Sequence, residues 1–262
     1  MAGSATPRPI SRPCGTAPTT RSGDLAVYVV DARQKGHFEQ VFWAAREAGW
    51  WPREGARHVS FGMILGEDGT PFKTREGESV PLARLLRDAA ARAREIVDRE
   101  NPDLSEDERA RVARAVGIGA VKYADLACDR NRDYVFSWER MLAFEGNTAP
   151  YLQYAYARIR SILRKSPVPP APTIVLPEEP ERALALELSR FPAAVRSAAR
   201  LLAPDRLTGY LWDLSRAYSS FYESCPVLKS EEPARGSRLA LCDLTARTIA
   251  RGLDLLGIAT VE

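Results

Sequence analysis

The chain has 262 residues, of which 45% are hydrophobic, and carries a formal net charge of +3 at pH 7. This length accommodates two compact domains, each with its own core. So small a net charge does not by itself indicate a nucleic-acid-binding protein, and no apolar run approaches the roughly 20 residues that a membrane helix needs. The four cysteines and two histidines are scattered without a short pair. The sequence therefore predicts a soluble, cytoplasmic protein in a reducing compartment, with no metal site.

The first 23 residues differ in composition from the rest of the chain. They combine four prolines with serine, threonine, glycine and three arginines, and they contain no acid. A segment of this kind cannot bury enough apolar surface to fold, so we predict a disordered leader over residues 1–23. The alternatives are a new start left by gene truncation and an organelle transit peptide, although the prolines interrupt the amphipathic helix that such a peptide forms.

The next segment has the pattern of a βαβ unit. Residues 25–30 form a short apolar, β-branched run, a helix is predicted up to residue 48, and residues 58–65 form a second run of the same kind. Strand, helix and strand at this spacing predict a parallel sheet. A turn-rich loop over residues 66–77 follows the second strand, at the end of the sheet where open α/β sheets bind ligands.

From residue 79 onward the pattern is helical. Ser79 is a candidate cap for a helix up to residue 99, and Ser105 with Glu108 forms a capping box before a helix that runs towards residue 126. A proline-rich linker over residues 167–180 interrupts the later part. Helices are predicted there at residues 148–165, 181–202, 205–223 and 236–256. Together they predict an all-helical bundle.

The helix predicted from residue 148 has an unusual composition. Asn147 and Thr148 are its candidate caps, and Pro150 lies in the first turn, where a missing N–H costs little. No acid follows Glu145 until the helix has ended. The predicted helix is therefore well delimited and strongly basic.

Tyrosines and arginines share one side of this helix. Tyr151, Tyr154 and Arg158 are spaced three and four residues apart, and Arg160 adds charge further along. Because rings stack on bases while cations contact phosphates, this pattern is typical of a nucleic-acid surface. The alternative is an ordinary bundle helix with the tyrosines at the rim of the core. Its core positions would be Leu152, Ala155, Ile159 and Ile162.

Seven strings occur in order along the chain. They are VVDARQKGHF at 29–38, FGMILGEDGTPFKTREG at 61–77, AVGIGAVKYADL at 115–126, DYVF at 133–136, MLAFEGNTAPYLQYAYARIRS at 141–161, FYESCPVL at 221–228 and SRLALCDLTARTIARGLDLLGI at 237–258. With these strings the chain resembles the class I arginyl-tRNA synthetases from about residue 27 to the C-terminus. The resemblance implies a mainly α fold, in which a partial Rossmann-like α/β half-domain precedes a helical anticodon-binding bundle.

The resemblance also implies domain boundaries. Residues 24–78 resemble the C-terminal half of the class I nucleotide-binding catalytic fold, with its signature loop. Residues 79–145 resemble the family's helical connection, and residues 146–262 its α-helical anticodon-binding domain. On this basis we expect a truncated arginine–tRNA ligase of translation, which contributes its signature loop to ATP-dependent arginine activation only if complemented.

Individual site residues follow from the resemblance. Phe72, Lys73, Thr74 and Arg75 take the place of the mobile signature loop, in which Lys73 is the expected catalytic residue because it neutralises the ATP phosphates as pyrophosphate leaves. Gln34 matches a position that helps to hold arginine, and His37 lies on the nucleotide side of that site. By residue pattern alone, these two are ordinary polar groups at the end of a strand. The tRNA-binding residues implied are Tyr151, Tyr154, Arg158 and Arg160.

The sequence departs from the family in two respects. Of the usual KMSKS signature, only the central Lys73 keeps the chemistry, and no counterpart of the N-terminal domain or of the first half of the nucleotide fold, with its HIGH-type motif, occurs among its residues. We therefore expect half of the active site to be missing and no aminoacylation by the chain alone, since positioning of substrates contributes about 7–11 kcal/mol to such reactions. ATP, with Mg²⁺, is expected as a substrate only if the site is complemented, and no tightly bound cofactor is expected.

The expected partners are tRNA(Arg) and either a polypeptide that supplies the N-terminal half or a second copy of the chain, because an incomplete sheet exposes an edge. Two alternatives stay open at this point. One is a catalytically inactive, stand-alone tRNA-binding paralogue, and the other is a degenerate fragment without a selected function.

Overall fold

The computed structural model of the protein describes residues 25–50, 55–66, 68–70 and 81–262. The chain divides into two compact units, Met1–Met63 and Ile64–Glu262. No helix in the described ranges is both long enough and apolar enough to cross a membrane. The predicted leader over residues 1–23, Ser79 and the loop residues 72–75 lie outside the described ranges.

The first unit contains the predicted βαβ arrangement. Strand β1 (Ala26–Asp31) leads through a single 3-10 turn (Ala32–Gln34) into helix α1 (Lys35–Glu47), and strand β2 (Ala56–Phe61) follows. The two strands pair in parallel, with Ala26 opposite Ala56 and Asp31 opposite Phe61. The prediction of a parallel pair joined by a helix is therefore confirmed.

Alternate residues of β1 face opposite sides of the small sheet, as the two-residue period of a strand requires. The ring of Tyr28 lies 5.4 Å from that of Phe38 and 5.2 Å from that of Phe42, so this face packs on α1. On the opposite face Val27 and Val29 are 40% and 65% exposed. The covered face of the sheet is thus the one under α1.

The second predicted strand, over residues 58–65, is wrong as a single element. The structure has two strands, β2 and β3 (Ile64–Leu65), and β3 pairs in parallel with β4 (Tyr134–Val135) instead of β1. The physical reason is that β1 turns into the 3-10 turn after Asp31, which is the partner of Phe61. Beyond Phe61 the backbone N–H and C=O groups therefore need hydrogen-bonding partners other than β1.

A helical hairpin opens the second unit. Helix α2 (Leu82–Glu100) and helix α3 (Glu106–Ala127) are joined by a short turn, and Ser105 with Glu108 forms the predicted capping box at the start of α3. The helices approach closely at Gly117, where a Cβ atom would lie 2.5 Å from the carbonyl oxygen of Ala89. Only glycine fits this crossing without displacing a backbone.

Six further helices follow, and five of them form the bundle. Helix α4 (Trp138–Met141) is a single turn that the sequence did not predict. The bundle consists of α5 (Ala149–Lys165), α6 (Glu179–Ser189), α7 (Phe191–Leu201), α8 (Asp205–Ser224) and α9 (Ala234–Leu255). The mainly α fold with small parallel sheets agrees with the predicted class.

The single helix predicted over residues 181–202 is wrong, because α6 ends at Ser189 and α7 begins at Phe191. Pro192 is the physical cause. Proline has no N–H to donate to the residue four positions back, and its ring clashes with that carbonyl group, so it is tolerated only in the first turn of a new helix.

The buried side chains of the bundle core come mainly from α5, α6, α8 and α9 and from the segments that follow α8 and α9, and partly buried residues of α7 pack against them. Leu152 and Ile159 of α5, Leu211 of α8 and Ile249 of α9 are all fully buried. One ion pair is also buried: the Arg238 guanidinium donates to Glu181 at 2.7 Å, to the carbonyl oxygen of Pro226 at 2.9 Å and to Ser230 at 2.7 Å. These hydrogen bonds offset the cost of burying the two charges.

Candidate nucleic-acid interface

The start of helix α5 is fixed by its cap. The Thr148 Oγ1 atom accepts a hydrogen bond from the N–H of Tyr151 at 3.2 Å, and its hydroxyl donates to the carbonyl oxygen of Ala143 at 2.7 Å. Asn147, the other predicted cap, instead accepts a hydrogen bond from the hydroxyl of Tyr123 at 2.7 Å. The cap and the preceding loop are therefore tied to α3 as well as to α5.

Two aromatic rings lie side by side at the surface near this cap. Tyr154 is 50% exposed, and Phe144, in the loop before the helix, is 42% exposed. Their ring centroids are 6.4 Å apart, and the planes meet at 87°. An edge-to-face pair of this kind leaves ring surface open to solvent, where an unpaired base can stack.

Arg158, one turn further along α5, lies beside an aromatic ring of α8. Its guanidinium carbon is 4.2 Å from the centroid of the Tyr222 ring, and the arginine itself is exposed. This cation–π contact restricts the side chain and leaves its charge accessible. Tyr222 was not among the predicted site residues, although it belongs to the FYESCPVL string.

Tyr151 is held more firmly than Tyr154. Its hydroxyl shares a 2.9 Å hydrogen bond with Ser219, and its ring packs 5.4 Å from that of Trp212. Both partners belong to α8. In the structure Tyr151 therefore braces α5 against α8 and borders the exposed rings.

Arg160 lies on a different side of α5 from Tyr154. Its Nε atom donates to the side chain of Glu262 at 3.0 Å, and the hydroxyl of Tyr156 donates to the same carboxylate at 2.9 Å. Arg164 lies 3.6 Å from the other carboxylate oxygen. The Tyr156 hydroxyl, followed by the charges of Arg160 and Arg164, lowers the pKa of Glu262. This arrangement gathers a hydroxyl and two guanidinium groups around one carboxylate at the surface. Tyr156 and Glu262 were not predicted to belong to a site.

The inner face of α5 matches the pattern of a core helix. Leu152, Ala155, Ile159 and Ile162 are all buried in the bundle core. The two interpretations of this helix are compatible, because its core face and its tyrosine–arginine side are different parts of its circumference. The four predicted tRNA-binding residues stay a prediction at this point.

In the first unit, the predicted polar residues lie at the carboxyl end of β1. Gln34 ends the 3-10 turn and His37 lies in the first turn of α1, and both are exposed. Asp31 fixes this turn, because its carboxylate accepts from the backbone N–H of Arg33 at 2.7 Å and from its guanidinium at 2.7 Å. The hydrogen bonds from Arg33 lower the pKa of Asp31 to about 2.

The loop predicted to carry catalysis is described only at its start. The N–H of Gly66 donates to the carbonyl oxygen of Thr70 at 2.7 Å, which closes a tight turn. Phe72, Lys73, Thr74 and Arg75 lie outside the described residues, so their predicted roles stay predictions. In the described ranges, no three His, Cys, Asp or Glu side chains are grouped so as to hold a metal ion.

Two family models match the chain. Residues 17–138 match the catalytic domain of class I tRNA synthetases of the arginine type, and residues 152–262 match the DALR anticodon binding domain. The predicted boundaries at residues 24, 79 and 146 are finer than these matches and stay predictions.

Curated and solved relatives agree with the family models. The chain is 51% identical to an arginine–tRNA ligase of Laribacter hongkongensis over 91% of its own length and 42% of the relative's. It is 52% identical to an arginine–tRNA ligase of Frankia casuarinae over 91% of the chain and 41% of the relative. The solved arginyl-tRNA synthetase of Thermus thermophilus is similar with a TM-score of 0.82 and 36% identity, over 91% of this chain and 41% of that one. The chain therefore spans about two fifths of the length of these relatives, and it belongs to the arginyl-tRNA synthetase family, matching the C-terminal part of the full-length enzymes.

Proposed function

We propose that the helical bundle of this chain binds tRNA(Arg) and that Tyr154 and Arg158 lie at the centre of the RNA contact. The observation that carries the proposal is the pair of exposed rings, Tyr154 and Phe144, beside a guanidinium held over Tyr222 at 4.2 Å. Unpaired bases of an anticodon loop are recognised by stacking on such rings, while arginine contacts the phosphates. Tyr151 contributes by bracing α5 in position.

The proposal includes a part in arginine activation. Lys73, between Phe72 and Thr74, neutralises the phosphates of ATP, which is a substrate with Mg²⁺. Gln34 contacts the substrate arginine, and His37 lies on the nucleotide side of the site. The chain spans 42% of the length of the relative from Laribacter. We therefore propose that the chain takes part in arginine–tRNA ligation in the cytoplasm. A second polypeptide, which corresponds to the rest of the relative's length, supplies the remaining part of the enzyme.

Filter binding tests the RNA part of the proposal. The chain is titrated against tRNA(Arg), against the same tRNA with a changed anticodon, and against an unrelated tRNA, each at two fixed salt concentrations. We expect tRNA(Arg) to bind at least about tenfold more tightly than the other two, since each lost base contact costs about 1–3 kcal/mol. Equal affinity for all three at both salt concentrations would refute the proposal.

Arginine-dependent exchange between ATP and pyrophosphate tests the catalytic part. The assay combines the chain with the separately produced N-terminal part of the Laribacter ligase, and Lys73→Ala is the matched variant. We expect exchange in the mixture and a loss of at least about 100-fold with Lys73→Ala, because one electrostatic contact to the departing group contributes about 2.7–4 kcal/mol. Selective tRNA(Arg) binding without any exchange would instead favour a stand-alone RNA-binding protein.

A further inference from the structure

Three side chains of α5 surround one carboxylate. The Tyr156 hydroxyl and the Arg160 Nε donate to Glu262 Oε1 at 2.9 and 3.0 Å, and Arg164 lies 3.6 Å from Glu262 Oε2. The three residues follow one another at intervals of four, so they form one ridge along the helix. The ridge presents two cations and a hydroxyl to a single negative group.

Two guanidinium groups share one side-chain carboxylate in this cluster. The side chains of Arg160, Arg164 and Glu262 are 37%, 57% and 46% exposed. Ion pairs in contact with water contribute only about 0–1 kcal/mol each. The carboxylate is therefore held weakly enough for another anion to replace it.

The C-terminal segment does not depend on this carboxylate for its position. Ile258 is 3% exposed and belongs to the bundle core, and the Gln153 amide donates to the carbonyl oxygen of Ala259 at 2.7 Å. Val261 packs against the core of the α2–α3 hairpin. Because these contacts anchor the backbone up to Val261, the Glu262 side chain can leave the ridge without unfolding the segment.

We propose that the ridge of Tyr156, Arg160 and Arg164 is a binding site for an RNA backbone phosphate, which the Glu262 side chain occupies in the free protein. Guanidinium groups bind the oxygens of a phosphate in the same geometry as those of a carboxylate. A backbone phosphate is also held near the ridge by the other contacts that the RNA makes with the bundle. The inference rests on the proposed binding of tRNA by the bundle. It adds that binding displaces Glu262, so that this residue limits affinity for RNA.

The test uses the full chain with Glu262→Gln, and Asp254→Asn as the matched control. Asp254 forms an ion pair with Arg251 in the last turns of α9. Each variant therefore removes one negative charge that pairs with arginine. We expect Glu262→Gln to tighten tRNA(Arg) binding about 2- to 5-fold, the equivalent of one exposed ion pair. Asp254→Asn should leave the affinity unchanged. Equal effects of the two variants would overturn the inference, and so would wild-type affinity in Glu262→Gln.

The double variant Glu262→Gln with Arg160→Gln checks that the tighter binding passes through the ridge. We expect it to lose the added affinity of the single variant. Retention of that affinity would overturn the inference.

A second measurement separates this inference from the proposed function. Inorganic phosphate is titrated while the Nε–Hε NMR signals of Arg160 and Arg164 are followed in wild type and in Glu262→Gln. Saturable shifts at lower phosphate in the variant support the site even if no form of the chain binds tRNA(Arg), a result that would refute the proposed function alone. Identical titrations in both proteins would overturn the site.

Discussion

Tyr154→Ala is the most direct test of the proposed RNA contact, because this side chain is half exposed. It is 50% exposed, and the ring contact that it makes is with Phe144 at 6.4 Å. The core of the bundle therefore loses little when the ring is removed. Stacking of a base on an aromatic ring contributes about 1–3 kcal/mol. We expect the Kd for tRNA(Arg) to rise about 5- to 150-fold, which is that range converted at 25 °C.

The matched control is Tyr154→Phe, which keeps the ring and removes only the hydroxyl. It should bind within about twofold of wild type, since stacking depends on the π-face. Filter binding at two salt concentrations adds a second criterion. Stacking releases no counterions, so Tyr154→Ala should weaken binding without changing the salt slope. The reasoning is refuted if Tyr154→Ala binds like wild type, or if Tyr154→Phe loses as much affinity as Tyr154→Ala.

Three further predictions concern stability. Glu181→Ala leaves the Arg238 guanidinium without its carboxylate and should lower the free energy of unfolding by about 3–5 kcal/mol in urea titrations. Gly117→Ala places a Cβ 2.5 Å from a backbone oxygen of α2 and should cost about 1–3 kcal/mol in the same titrations, whereas Gly209→Ala, whose Cβ meets no atom of a neighbouring element within 4 Å, should gain up to about 1 kcal/mol from helix propensity. The pKa of Asp31, about 2 when folded, lies below its unfolded value near 4, so its contribution is present above about pH 4 and is lost as the pH falls towards 2. Asp31→Asn should remove that part of the acid dependence, measured as unfolding against pH.

Each of these predictions has an outcome that contradicts it. Wild-type stability in Glu181→Ala would mean that the buried pair contributes nothing. A gain in stability in both glycine variants would mean that helix propensity, and not the close helix crossing, decides the effect at Gly117. An unchanged acid profile in Asp31→Asn would mean that its folded and unfolded pKa values coincide.

Local signals predicted the elements with strong caps. The Ser105–Glu108 box and the Thr148 cap both form as the sequence indicates, because each depends on atoms only a few residues apart. The prediction of one strand over residues 58–65 was wrong because a strand continues only as far as its hydrogen-bonding partner, and the partner of β2 ends at Asp31. The partner of β3 lies about 70 residues away at Tyr134–Val135, and no local pattern identifies it.

The candidate site was predictable to a smaller extent. Helical spacing correctly indicated that Tyr151, Tyr154 and Arg158 lie on neighbouring parts of α5, but it carried no information on what faces them. Tyr222, which lies under the Arg158 guanidinium, and Glu262, which pairs with Arg160, come from segments more than 60 residues away. Such partners follow from tertiary packing, which a period of 3.6 residues does not specify.

Helix α5 serves several purposes because its circumference is divided among different neighbours. Leu152 and Ile159 face the bundle core, and the Gln153 amide contacts the carbonyl oxygens of Ala115 at 3.3 Å and Ala259 at 2.7 Å. The helix is thus held between the bundle, α3 and the C-terminal segment, so it cannot rotate about its axis without breaking buried contacts. The backbone that carries the exposed ring of Tyr154 therefore stays in a fixed position. Only the side-chain torsions remain to be ordered when a base stacks on the ring, which is why a core helix is a suitable support for an RNA contact.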